Sequence, residues 1–209
     1  MNHSHCHIIA CLMAVAGLMT ACHSEGIQGS AALDVPVELL QDGDLALRCG
    51  ISLESRFVTG INGENGPYSH IGLVVNVDGK WMVAHAVPGE NPPGEPEYLK
   101  LDPISDYYGG DRAKLGAIMR VTEDSAACAA ATGYALWAVD AHKVFDKAFD
   151  WEDTTQLYCT ELVQRAYQRS GIDLTQGRKT NVGAAAFKGT YVFPSDITSN
   201  KSLTWICTF

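Results

Sequence analysis

A chain of 209 residues that is 46% hydrophobic and 19% charged is long enough to bury one substantial core and short for two. Its formal charge of −9 argues against nucleic acid as a partner, because phosphate binding needs clustered Lys and Arg that no segment supplies. A single acidic α+β domain is the expectation, with solubility the reason for the charge.

Residues 1–21 carry no Asp, Glu, Lys or Arg and hold a short apolar run, Ile8 to Leu18, ending in Leu18-Met19-Thr20-Ala21-Cys22. The run is shorter than the roughly 18 to 20 residues of a membrane-spanning helix, and it reads as an export signal. Small residues before a cysteine are similar to the lipobox of bacterial lipoproteins, so Cys22 is the expected acylated residue. The expected locale is the cell envelope, by a lipid anchor. Two departures are visible: Met19 stands at an aliphatic position, and the leading segment offers His3, His5 and His7 in place of Lys or Arg. Residues 22–36 are small, polar and aperiodic and read as a tether, leaving 37–209 as the domain.

Within the domain, Asp44 to Cys49 reads as a strand after the turn-prone Asp42-Gly43. Ile71 to Val77 and Trp81 to Val87 flank Asp78-Gly79, a pair suited to a primed turn, and predict a β-hairpin. Pro88 to Pro96 is a predicted surface loop that could border a cleft. Leu115 to Val121 predicts another strand, and the Ala-rich stretch Asp124 to Phe149 a long helix. Cys159 to Arg169 carries Leu162, Val163, Ala166 and Tyr167 as one apolar stripe and predicts an amphipathic helix stopped by Ser170-Gly171. A closing strand is expected near Leu203 to Cys207. Strands first and helices later give an α+β domain on an antiparallel sheet.

Once the leader is set aside, the domain's histidines are His70, His85 and His142. Counting from the Asp78-Gly79 turn, His70 and His85 stand within about one strand step of opposition and can share a face. Cys159 stands at a predicted helix N-terminus, where the macrodipole and a nearby imidazolium would favour the thiolate. A cysteine nucleophile needs a base held by a third polar group, and His70 with His85 could supply both roles. The same three residues could instead bind zinc, although their spacing fits no short metal motif and no fourth ligand is evident. Cys49, Cys128 and Cys207 read as small buried residues, with one disulfide among them possible in an oxidising compartment.

Asp42-Gly-Asp-Leu45, Tyr68-Ser-His-Ile-Gly-Leu-Val74, Val83-Ala-His-Ala86, Phe145-Asp146 with Phe149-Asp150, Tyr158-Cys-Thr-Glu-Leu-Val163 and Phe193-Pro-Ser-Asp196 together resemble the permuted papain-like cysteine hydrolases. The likeness is to their YiiX-like branch, relatives of the NlpC-type cell-wall peptidases. YSHIG and YCTEL in this order, about ninety residues apart, carry the specificity. The resemblance implies an NlpC-like antiparallel sheet or partial barrel packed against a nucleophile-bearing helix. It implies Cys159 as nucleophile, His70 as base and His85 as orienter, with no cofactor and no metal.

YiiX-like chains commonly place a carboxylate or amide at the third position, and a histidine there is more similar to the lecithin:retinol acyltransferase branch. Tyr68 and Tyr158 flank the two motifs and could assist the substrate or oxyanion, although packing is the plainer reading. Glu161 reads as a helix-start charge. The function implied is cleavage of an amide in a cell-wall peptide or amino-acid conjugate through an acyl-enzyme. A lipid acyltransferase or lipase-like thioester enzyme and a non-catalytic binding module are the alternatives.

Overall fold

The computed structural model describes residues 31–62, 66–183 and 188–209; the expected export signal, Cys22 and tether residues 22–30 lie outside them. Among the described residues, no helix is long and apolar enough to cross a membrane. The elements in chain order are β1 (Leu45–Gly50), α1 (Leu53–Asn62), β2 (His70–Val77), β3 (Lys80–His85), β4 (Lys100–Pro103) and α2 (Ile104–Tyr107). They continue as β5 (Ala113–Arg120), α3 (Ser125–Asp140), α4 (Cys159–Gln168), β6 (Thr180–Val182), β7 (Gly189–Tyr191), α5 (Pro194–Thr198) and β8 (Thr204–Thr208). Six strands form one sheet in the order β4-β3-β2-β1-β5-β8, each neighbouring pair antiparallel, and β6-β7 make a separate antiparallel ribbon. The expected α+β class with an antiparallel sheet is what the chain adopts.

Strand alternation divides the core. Leu45, Leu47, Ile71, Leu73, Ala117 and Met119 face α3 and α4, where Ala131, Ala135, Leu162, Val163 and Tyr167 meet them. Ala46, Val74, Val83 and Ile118 face the other way, onto Leu40, Ile104, Tyr107 and Tyr108. The β2–β3 hairpin turns at Asp78 and Gly79, both at positive φ (51° and 80°), as the Asp-Gly pair predicts.

Helix α3 starts where Asp124 accepts the Ala126 and Ala127 amides, but it stops at Asp140, short of the expected Phe149. His142 adopts φ 52°, and Val144 and Phe145 then form isolated bridges to Tyr98 and Leu157. The near-helical spacing of Lys143 and Lys147 therefore lies beyond the helix. Helix α4 follows its predicted stripe, and Tyr167 anchors it by donating its hydroxyl to the Gly43 carbonyl at 2.5 Å.

Several resemblance motifs turn out to brace the scaffold. Asp44, 1% exposed, takes Arg120 in an ion pair at 2.9 Å and the Gln41 amide at 2.9 Å. Asp146 accepts the Ala148 and Asp150 amides, and Asp196 closes the start of α5 by accepting the Phe193 amide.

Gly72 sits opposite His85 in the extended β2–β3 register, beneath the row of side chains described below. A Cβ there would lie 2.5 Å from Val83 Cγ1 and 3.0 Å from both the Ala84 oxygen and His85 Cβ. Gly72→Ala is expected to force the two strands apart and cost about 1–3 kcal/mol, measured as a lower midpoint in chemical denaturation. An unchanged midpoint would show that this close approach is dispensable.

Candidate functional site

The β1–β2 register sets Arg48 opposite His70, and the β3–β4 register sets His85 opposite Lys100. Residues 70 and 72 share a face, and position 72 opposes His85, so Arg48, His70, His85 and Lys100 form one diagonal row across four strands. All lie on the Tyr107 face. His70 is 6% and His85 0% exposed.

His70 Nε2 lies 2.9 Å from His85 Nδ1, and His85 Nε2 lies 3.2 Å from Asp102 Oδ2. A carboxylate only accepts, so His85 Nε2 carries the proton. Neutral His85 then accepts at Nδ1, which makes His70 Nε2 the donor and leaves His70 Nδ1 with a free lone pair. Burial lowers the pKa of both rings; for His70 the Arg48 charge adds to this, and for His85 the Asp102 hydrogen bond opposes it. Burial also works against ionised Asp102, but bonds and charges from His85 and Lys100 win and hold its carboxyl well below the usual carboxylate range. The result is a neutral relay ending in an anion.

Tyr107 closes this face, its ring centroid 5.0 Å from that of His85 and 5.8 Å from that of His70, while its hydroxyl donates to the Ala46 carbonyl at 2.9 Å. Arg48 stacks on the same ring at 4.6 Å and donates to the Tyr107 carbonyl at 2.9 Å. Glu90, from the β3–β4 loop, pairs with Arg48 and lies 3.5 Å from Lys100 and 3.3 Å from Arg112. Asp102 is held by Lys100 at 2.9 Å and Arg112 at 2.8 Å.

A cleft of about 670 Å³ opens where β1 ends, β2 begins and β3 ends. Arg48, His70, Glu90, Arg112 and Cys159 line it, with Ile51, Val58, Val87, Phe145 and Phe149 as its apolar wall. Val87 to Glu90 contribute from the Pro-rich loop, so that segment does border the cleft.

Cys159 begins α4 and reaches the cleft from the opposite side of the sheet. Burial pushes its thiol up to about 11, against the backbone N–H groups of Ile71, Thr160 and Cys159 and the Arg48 charge, which draw it down. This corrects the expectation of a thiolate favoured by the helix dipole and an imidazolium: desolvation outweighs the dipole, and the histidines beside it are neutral. Among the described residues, no hydrogen bond joins the sulfur to His70, whose ring nitrogen bonds to His85 instead. His70 and the thiol share a cleft as a neutral pair, an arrangement in which proton transfer can accompany bond formation.

The flanking tyrosines sit elsewhere. Tyr68 packs on Trp205 at 5.9 Å, and Tyr158 is buried among Phe149 and Trp151; neither lines the cleft. Glu161 is fully buried and paired with Arg165 at 2.5 Å, where burial raises it to about 7, so it is an interior ion-pair partner. Cys49, Cys128 and Cys207 are free thiols, and no disulfide forms among them.

Asp102, Arg48 and Glu90 escape sequence reading. Asp102 reaches the site from a four-residue strand placed by a Pro-rich loop, and Lys100-Leu101-Asp102 offers only a brief alternation as a signal. His85, Glu90 and Asp102 bring ligand atoms within 4.8 Å of one another, a grouping different from the His70–His85–Cys159 set considered from sequence.

No family model and no curated protein matches the chain. Among solved structures, it is similar to the crystal structure of metalloprotein yiiX (DUF1105) of Escherichia coli O157:H7, with TM-score 0.63 and 20% identity over 81% of this chain and 97% of that one. The chain therefore has a YiiX-like fold.

Because the thiol is raised to about 11, its reactive fraction grows with pH throughout the neutral range. Iodoacetamide labelling of the Cys159 peptide, followed by mass spectrometry, is expected to accelerate by about tenfold per pH unit between about pH 7 and about pH 9. A plateau below pH 8 would reveal a preformed thiolate.

Proposed function

We propose that the chain is a cysteine hydrolase of the permuted papain-like type, exported to the cell envelope, which cleaves an amide in a cell-wall peptide or amino-acid conjugate. The observation that carries this is the buried relay of His70, His85 and Asp102, at 2.9 and 3.2 Å, whose open end lies in the same cleft as a cysteine at a helix start. The YiiX-like fold and the ordered YSHIG and YCTEL motifs support the same reading.

In the proposed reaction, His70 Nδ1 takes the thiol proton as the sulfur attacks the carbonyl carbon. His85, fixed by Asp102, stabilises the imidazolium that forms. The backbone N–H groups around the sulfur are suited to the oxyanion. His70 then protonates the leaving amine, the C–N bond breaks, and a thioester remains. Water, losing its proton to His70, hydrolyses the thioester to carboxylic acid and free thiol. A histidine at the orienting position also suits transfer of the acyl group to an alcohol or amine, which is the same chemistry with a different acceptor.

A metal reading comes from yiiX being named a metalloprotein and from the gathering of His85, Glu90 and Asp102. The donor set does not fit it. Arg48, Lys100 and Arg112 already surround the two carboxylates, so a divalent cation would meet three fixed positive charges. Both His85 nitrogens are also engaged, one by His70 and one by Asp102.

Incubation with envelope extracts, following released amines and fatty acids, is expected to give product with the wild type and none above background with Cys159→Ala. Amine release identifies an amidase and fatty-acid release the lipid alternative; equal product from both proteins would remove the hydrolase reading. Asp102→Asn is expected to lower kcat on the order of 10²-fold with folding retained, because the relay loses its anion. Full activity in that variant would remove Asp102 from the relay.

A further inference from the structure

Arg48 lies on the central strand β1, its side chain only 3% exposed, yet no acidic residue of the sheet serves it. Its counter-ion is Glu90, which reaches in from the loop joining β3 to β4. That loop follows Pro88 and Gly89, the latter at φ 74°, and continues through Pro92 and Pro93. Unpaired, a guanidinium this deep is strongly destabilising, so an anion is required at this position.

The other carboxylate nearby cannot fill the role. Asp102 is committed to His85, Lys100 and Arg112. Three cations, Arg48, Lys100 and Arg112, thus converge on the two carboxylates Glu90 and Asp102, and Glu97 and Asp111 also line the cleft. Even with Glu90 seated, Arg48 Nε and Glu90 Oε2 are buried without hydrogen-bond partners. Glu90 therefore pairs with Arg48 without saturating the hydrogen-bonding capacity of either group. Arg48, Glu90 and Arg112 all line the cleft that holds Cys159, and the Arg48 charge reaches the sulfur.

We propose that Arg48, Arg112 and Lys100 form a recognition subsite for a free carboxylate borne by the substrate close to its scissile amide, and that Glu90 occupies this subsite until the substrate carboxylate displaces it. The proposal rests on the hydrolase reading above and narrows its substrates to N-acyl amino acids and peptides with a carboxylate beside the cleaved bond. The acyl portion would lie along Ile51, Val58, Phe145 and Phe149. Exchange of one carboxylate for another keeps Arg48 paired throughout, so access does not require a bare buried charge.

The test is calorimetric binding to the full chain carrying Cys159→Ala, so that turnover does not enter. The probes are hippurate and its neutral amide, hippuramide, which share the benzoyl group. Hippurate is expected to bind at least about tenfold more tightly than hippuramide. Adding Glu90→Gln is expected to strengthen hippurate binding by roughly tenfold and leave hippuramide unchanged, whereas Arg112→Gln weakens hippurate alone.

Equal affinities for the two probes, no binding by either once Glu90 is neutralised, or weaker hippurate binding in the Glu90→Gln background would overturn the proposal. Hydrolysis of the probes by the wild-type chain is scored separately. Tight hippurate binding without turnover would uphold the subsite while counting against the hydrolase reading.

Discussion

The constraint on which this site depends is the burial of polar side chains in a diagonal line across one face of a β-sheet. Arg48, His70, His85 and Lys100 belong to four successive strands, and such a row is stable only if every member is satisfied from above or beside it. Gly72 leaves the room for it, the Tyr107 ring covers it, and Asp102 and Glu90 balance its charge. Remove the glycine and the strands separate; remove a carboxylate and a buried cation is stranded. Packing and charge are therefore one problem here.

The same burial sets the protonation states. Low-dielectric surroundings disfavour the imidazolium and the thiolate alike, so both potential partners rest uncharged. Ionised Asp102, with cations on two sides, stabilises positive charge when it forms on the histidine pair. In the proposed hydrolase, a neutral resting pair avoids holding a buried ion pair and leaves the charge to develop with the reaction.

Much of this was legible in the sequence because it follows from strand parity and short-range turns. Asp78-Gly79 defines the hairpin, and the hairpin places His70 and His85 on one face, two residues apart along β2. The apolar stripe of α4 and its Gly171 stop could be read directly. The long α3 reading failed because alanine content and lysine spacing continue past Asp140, while the chain is turned by His142 and tied to Tyr98 and Leu157. Asp102 and Glu90 were invisible because their partners are fixed by pairing β4 onto β3 across a Pro-rich loop, a long-range event with no local periodicity. The state of Cys159 was misread because helix-start position is local, whereas desolvation depends on the finished fold.

The central claim is that His70 and His85 are both neutral and hydrogen-bonded head to tail onto Asp102. Imidazole ¹⁵N resonances of the ¹⁵N-histidine-labelled protein report this directly. Between about pH 7 and about pH 8, both rings should show a protonated Nε2 and an unprotonated Nδ1. A His70 ring carrying two protons at neutral pH, or a proton on His70 Nδ1 in place of Nε2, would contradict it.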